Sequence, residues 1–356
     1  MTRRVLVARL DAVGDVLLAG PAIRAVAAVA EVHLLCGRAG APAGRLLPGV
    51  AQVHEWDCPW IANPPRPADQ DAQRELDAIL VAVRPDEVVI LTSFHQSPLP
   101  LALLLRLAGV GRITGASVDY AGSLLDVRLR PGEDFPESQS EVARDLAVVR
   151  AAGFEIPAGD VGRLAVVAGA DVRSLTGPGP YVVVHPGATV PARRWPAEHH
   201  AELVRRLARS GVDVVVTGGP GERELTRFVA GASAVDLGGR TDLAQLAAVL
   251  AGADAVVVGN TGAAHLAAAV GTPVVSLFSP VVDERCWRPY GVTSVVLGRV
   301  DTPCAGSRAR ECPVPGHPCL ADVSPAEVVD VVLSIRPTPV TTRHAVPLPA
   351  AEEVPA

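Results

Sequence analysis

The sequence predicts an α/β chain built from two Rossmann-like, doubly wound domains that face each other across a central cleft. Three observations carry that expectation. Short Val/Leu/Ile runs alternate with longer Ala/Leu stretches of helical period. The alternation stops at Gly177-Pro178-Gly179-Pro180, which continues neither helix nor strand, and then restarts. Each half opens with strand, loop and helix, the signature of a parallel wound sheet. A length of 356 residues also suits two units of about 150 better than one. The expected division is 1–170, 171–335, and a tail over 336–356 holding five prolines among polar residues.

In the first half, Val5-Leu6-Val7-Ala8 reads as a buried strand, and the turn Val13-Gly14-Asp15 leads into a helix over Val16–Val29. A second strand follows at Val32–Leu35 and another at Glu87–Leu91. Leu99–Leu107 is apolar apart from Arg106 and reads as a buried helix in preference to a membrane contact. The polar stretch Pro131–Ser140 reads as a mobile loop. In the second half the predicted order is strand Tyr181–Val184, helix Ala197–Arg209, strand Val212–Val216, strand Ala255–Val258, helix Ala263–Val270 and strand Val274–Phe278.

Composition narrows the function. Nearly half of the residues are hydrophobic yet only 3% are aromatic, so Ala, Val and Leu must fill both cores. The net charge of −6 excludes a general nucleic-acid binder, which needs a basic footprint. All 32 basic residues are arginine, so any fixed cation that meets a phosphate here has a forked guanidinium. Arg9, Asp11 and Asp15 interrupt the N-terminal apolar stretch too early for a signal peptide. Six cysteines without an export signal then predict reduced thiols in a cytoplasmic protein, with a peripheral contact to the inner membrane face as an alternative. Cys304, Cys312 and Cys319 lie near His317, but their spacing lacks the close pairs of a zinc site. No metal and no cofactor is expected.

Wound sheets bind ligands beyond the carboxyl ends of their strands, which singles out the loops Asp11–Asp15, His185–Trp195 and Gly259–His265. Asn260-Thr261-Gly262 opens a helix, where free N–H groups and the dipole suit a phosphate. Thr261 can add a hydroxyl, Gly262 a close approach and His265 a side chain one turn on. The plain alternative is an ordinary helix cap and a structural histidine. Arg193 and Arg194 can neutralise a diphosphate or form a solvated pair. Glu222, after Thr217-Gly218-Gly219, can accept from a ribose or stand as a turn acid. Asp15 can complement a helix dipole or act as a general base across the cleft. The first loop, LDAVGD, is not a G-x-G-x-x-G turn, which disfavours a nicotinamide dehydrogenase.

At these loops the sequence resembles glycosyltransferase family 9, the heptosyltransferase family. VLVARLDAVGDVLLAGPAIRAV, VVVHPGATVPARRWPAEHHAELVRRL and VVVGNTGAAHLAAAVGTPVVSLF carry the likeness in the family's order. The resemblance implies the GT-B fold, with an acceptor-side first domain and a second that holds a nucleoside-diphosphate sugar. It implies metal-independent, inverting transfer of a heptose or similar hexose, with ADP as the expected nucleotide. Asp15 then matches the catalytic aspartate, and Thr189, Arg193, Glu222, Asn260, Thr261, Gly262 and His265 form the expected donor-binding set. The expected partners are the sugar donor and a glycan, lipid-linked or small-molecule acceptor. The chain departs from the family's pattern with Asn260 for aspartate, Arg193 for lysine and Ser140 for histidine. The rival readings are an epimerase or hydrolase on the same scaffold, and a catalytically silent nucleotide-sugar-binding protein.

Overall fold

The computed structural model describes residues 2–167, 169 and 171–336. Within them lie two six-stranded sheets, every named strand pair of which is parallel. The first contains β1 (Arg4–Ala8), β2 (Glu31–Cys36), β3 (Val50–Glu55), β4 (Glu87–Ile90), β5 (Ile113–Ala116) and β6 (Val127–Leu129), in the order 3-2-1-4-5-6. The second contains β7 (Tyr181–His185), β8 (Asp213–Val216), β9 (Val235–Asp236), β10 (Ala253–Gly259), β11 (Val274–Leu277) and β12 (Ser294–Leu297), in the order 12-11-10-7-8-9.

The strands read as continuous apolar runs because both faces of each sheet are covered by helices. In β1, Val5 and Val7 join one core cluster while Leu6 and Ala8 join another, the two-residue alternation of a strand. In β7, Val183 and its neighbours Val182 and Val184 divide the same way. The cluster containing Val5 and Val7 also contains Val183, Val256 and Ala264. The helices Val13–Leu18 and Gly262–Ala269 pack against each other, so the two halves are joined through apolar contact at the cleft floor.

Local differences from the sequence reading have physical causes. The single helix expected over Val16–Val29 is two helices, Val13–Leu18 and Gly20–Ala27. Pro21 sits at the start of the second, where its missing N–H costs nothing, and the chain turns there. Leu99–Leu107 is a helix that buries only one face: Leu101, Ala102 and Leu105 are inside, Leu103 and Leu107 outside. The polar stretch 131–140 carries an anchor, Phe135, which is buried with the Arg144 guanidinium 5.1 Å from its ring centroid. Arg336, expected to open the tail, forms an ion pair with Asp254 at 2.6 Å, and the rest of that tail lies outside the described residues.

Candidate functional site

Each sheet reverses its strand order once, between β1 and β4 in the first and between β7 and β10 in the second. Such switch points open a crevice, because neighbouring strands send their following loops to opposite faces. The register pairs Ala8 with Ile90 and Val258 with His185, so the loops after these strands begin side by side. Asp11–Asp15 and Ser93 follow one switch point; His185–Trp195 and Asn260–His265 follow the other. The two crevices meet at the helix contact described above. A methyl placed on Gly14 would stand 2.9 Å from His265 Cδ2 and 3.3 Å from Gly262 Cα. Gly14 is therefore what allows the Asp15 turn to touch the opposing helix start.

Asp15 does not cap its helix: the N-cap is Ala12, with no side-chain cap bond. Its Oδ1 lies 3.3 Å from Arg9 Nη2 and 3.5 Å from Ser93 Oγ, and its side chain is 23% exposed toward the cleft. Arg9 is fully buried and carries the local electrostatics. It donates to Asp145 at 3.1 Å, Glu141 at 3.0 Å and Ser93 at 2.9 Å, and stands 3.2 Å from Asp11. One cation thus serves four carboxylates. Burial pushes Asp145 up to about 8, against the pull of Arg9, and Asp11 up to about 6. Glu141 rises for the same reason. The proton that this favours on Asp145 at neutral pH keeps the cluster from a large uncompensated charge.

The opposite wall is built from groups that lack partners. Arg193 Nε, Asn260 Nδ2, Thr261 Oγ1 and His265 Nδ1 are all buried without a hydrogen bond. Such atoms carry a desolvation penalty unless something satisfies them, and the four residues that carry them all line one cavity of about 420 Å3 that Asp15 also lines. Thr261 occupies the N-cap of Gly262–Ala269, yet its hydroxyl makes no cap bond, which separates it from an ordinary cap. Burial, partly offset by Asp15 and reinforced by Arg193, holds the His265 imidazole down at about 4, so it is neutral. Burial also lowers Arg193, with Asp15 opposing, although a guanidinium stays charged.

A second cavity of about 280 Å3 shares Thr189, Thr261 and Gly262 with the first and continues to Glu222, Asp242 and Leu246. Glu222 Oε2 accepts from Gly219 N at 2.7 Å. A methyl on Gly187 would fall 2.0 Å from Glu222 Oε1, so only glycine leaves room for that carboxylate. All eight residues singled out by sequence thus line one or both of two connected cavities. Arg194 turns away and donates to Ala188 O. Ser140 caps the helix Glu141–Ala151 by accepting from Ala143 N.

Sequence reasoning missed Arg9, Ser93, Glu141, Asp145, Arg308 and Arg310. An arginine inside an otherwise apolar strand end, VLVARL, was a signal for Arg9. Nothing local marked Asp145, which lies 136 positions away from it. Among the described residues all six cysteines are free thiols, and no group of three His, Cys, Asp or Glu side chains is arranged to hold a metal ion.

Two facing wound sheets with a polar cleft at their switch points define the GT-B class. The profile of glycosyltransferase family 9 (heptosyltransferase) matches residues 94–317, more than half of the chain. The chain belongs to that family. It is 38% identical over 135 residues to lipopolysaccharide heptosyltransferase 1 of Pseudomonas aeruginosa, covering 37% of this chain and 38% of that protein. It is 30% identical over 226 residues to lipopolysaccharide heptosyltransferase 2 of Escherichia coli, covering 58% of this chain and 64% of that one. The aligned stretches therefore span less than two-thirds of either relative. The fold is that of the solved E. coli ADP-heptose lps heptosyltransferase II, with a TM-score of 0.72 at 23% identity over 93% of this chain and 98% of that one. The E. coli heptosyltransferase WaaC with ADP-2-deoxy-2-fluoro heptose superposes with a TM-score of 0.67 at 23% identity, over 93% and 99%.

Proposed function

We propose that the chain is an inverting glycosyltransferase that moves a heptose or related hexose from a nucleoside-diphosphate sugar to an acceptor hydroxyl. One observation carries the reading: a cleft-facing carboxylate, Asp15, shares a cavity with four buried polar groups that have no partner. The second wall supplies what a departing diphosphate needs, namely a guanidinium, a hydroxyl, an amide, an imidazole N–H and a helix start. The adjoining cavity takes the nucleoside, with Glu222 as acceptor for ribose hydroxyls. ADP is the favoured nucleotide, since the related solved structures are an ADP-heptose heptosyltransferase and a heptosyltransferase with ADP-2-deoxy-2-fluoro heptose.

In this mechanism Asp15 accepts the proton of the attacking hydroxyl while that oxygen displaces the diphosphate from the anomeric carbon. Arg9 and Ser93 fix the carboxylate and leave its exposed edge toward the cleft. The Arg193 guanidinium and the Thr261 helix start stabilise the charge that grows on the departing phosphate. Residues 1–170 act as the acceptor-side domain and 171–335 as the donor domain. The acceptor is a glycan or lipid-linked sugar, met at the cytoplasmic side. No helix among the described residues is long and apolar enough to cross a membrane.

A thermal-shift screen of ADP-, GDP- and UDP-sugars tests the donor, because a ligand that binds only the folded state raises its melting point by mass action. ADP-heptose should give the largest shift. Absence of any shift from all three nucleotides overturns the proposal. Donor consumption without an acceptor would favour the epimerase or hydrolase reading, and binding without product across an acceptor panel the silent one.

A further inference from the structure

The cysteine-bearing segment 302–319 takes no part in the reaction outlined above, yet it lies directly on the donor loop. Its contacts centre on Ala192, in the short helical turn Pro191–Arg193. Ala192 N donates to Arg310 O at 2.9 Å, and His317 Nε2 donates to Ala192 O at 3.2 Å. Both backbone groups of that residue are therefore held by the segment. Cys304 is buried against Ala192 and Val281, with Val190, Ala309, Cys312 and Val314 packed around them. Arg308 N and Gly306 N donate to Val281 O and Pro280 O, each at 2.8 Å, which fastens the other edge. The thiols serve here as small apolar groups.

This fastening brings Arg310 to the wall of the cavity that also holds Arg193 and Thr261. Among the described residues neither the Arg193 nor the Arg310 guanidinium has an ion-pair or hydrogen-bond partner, whereas most arginines of this chain do. Two like charges facing one cavity repel each other unless an anion lies between them. Arg310 lowers the proton affinity of Arg193, in addition to the larger effect of burial. A nucleoside-diphosphate sugar carries one negative charge on each of two phosphates, and its departing diphosphate gains a third. One guanidinium cannot balance that.

We propose that segment 302–319 is a strap that delivers Arg310 as a second phosphate-binding cation beside Arg193, with Cys304, Cys312 and His317 holding the strap to the donor loop. The inference rests on the donor reading given above and adds a residue and a structural role to it.

Calorimetric titration with ADP and with adenosine, using the full chain, tests it. R310A should weaken ADP by about tenfold or more, the usual effect of losing one charge-assisted hydrogen bond, and leave adenosine unchanged. R310K should recover part of the loss. H317A should weaken ADP by the same route, so that R310A/H317A binds ADP no more weakly than R310A alone. R310A should melt with the wild type, because its exposed side chain holds nothing in the fold. Equal ADP affinity in R310A and wild type overturns the strap assignment and leaves the donor reading standing. A further loss from H317A in the R310A background overturns the link between strap and arginine. A wild type that binds neither ADP nor any other nucleoside diphosphate overturns both.

Discussion

Arg9→Met isolates the electrostatic centre of the first domain. The substitution keeps an unbranched apolar stem and removes the one cation shared by Asp11, Asp15, Glu141 and Asp145. Removing one partner of a buried ion pair costs about 3–5 kcal/mol, a large part of a typical domain's stability. Protonation sets a ceiling on that cost. Keeping a buried carboxyl neutral, against an unfolded value near 3.9, costs about 1.4 kcal/mol per pH unit above that value. The ceiling is then about 5–6 kcal/mol per group at pH 8 and about 2 kcal/mol at pH 5.5. The sign follows from the direction of the shifts. Asp145 and Asp11 titrate higher in the folded protein than in the unfolded chain, up to about 8 and about 6. The folded state therefore holds more protons at these two groups, and their contribution to stability falls as pH rises from about 4 through those values. Urea denaturation at pH 8 and pH 5.5 reads both effects. The deficit of Arg9→Met should shrink on acidification by about 3 kcal/mol for each carboxylate that Arg9 no longer holds ionised. A deficit that stays constant within about 1 kcal/mol would refute the idea that Arg9 is stabilising because it offsets buried negative charge.

The other predictions concern the cleft. Asp15→Asn should lower turnover by about 10²–10⁴-fold while donor affinity, read by calorimetry, stays near wild type; full activity would remove Asp15 from the chemistry. Thr261→Val should leave the unfolding free energy within about 0.5 kcal/mol, since the hydroxyl has no protein partner to lose, yet weaken the donor by about tenfold or more. Equal donor affinity in that variant would return Thr261 to the role of a simple loop residue. Gly187→Ala should displace the Glu222 carboxylate, leave Gly219 N without its acceptor and cost about 1–3 kcal/mol, together with donor affinity. Native stability and native donor binding in Gly187→Ala would show that Glu222 has another place to go.

The fold was legible wherever period and punctuation agreed. Leu99–Leu107 and Ala197–Arg209 have the predicted bounds, because apolar spacing and flanking prolines coincide there. The edge strands were not seen. β3, Val-Ala-Gln-Val-His-Glu, is half-exposed and mixes polar residues into its run, and β9 is only two residues long. A strand covered on one side loses the continuous apolar signal that marks β1 or β7. The split of the first helix at Pro21 was written in the sequence, but the Ala-rich period around it outweighed the proline.

The site shows a sharper division. The residues proposed to meet the donor sit in loops directly after buried strands, so topology alone indicates them, and Thr261, Asn260, Arg193 and Asp15 are reached this way. What could not be read was whether those polar groups were free. A capping threonine and one whose hydroxyl is free for a ligand have the same sequence surroundings; only the structure shows that Thr261 makes no cap bond. The partners of Arg9 were hidden for the complementary reason. Asp11 and Asp15 are near in sequence, but Glu141 and Asp145 lie 132 and 136 positions from Arg9, four residues apart on one face of a helix. A sequence with no lysine had already fixed that any buried cation here would be arginine. Its five donors are what let one side chain hold two acids on the distant helix and still keep a bond to Asp15, which is the property a lysine at position 9 would lack.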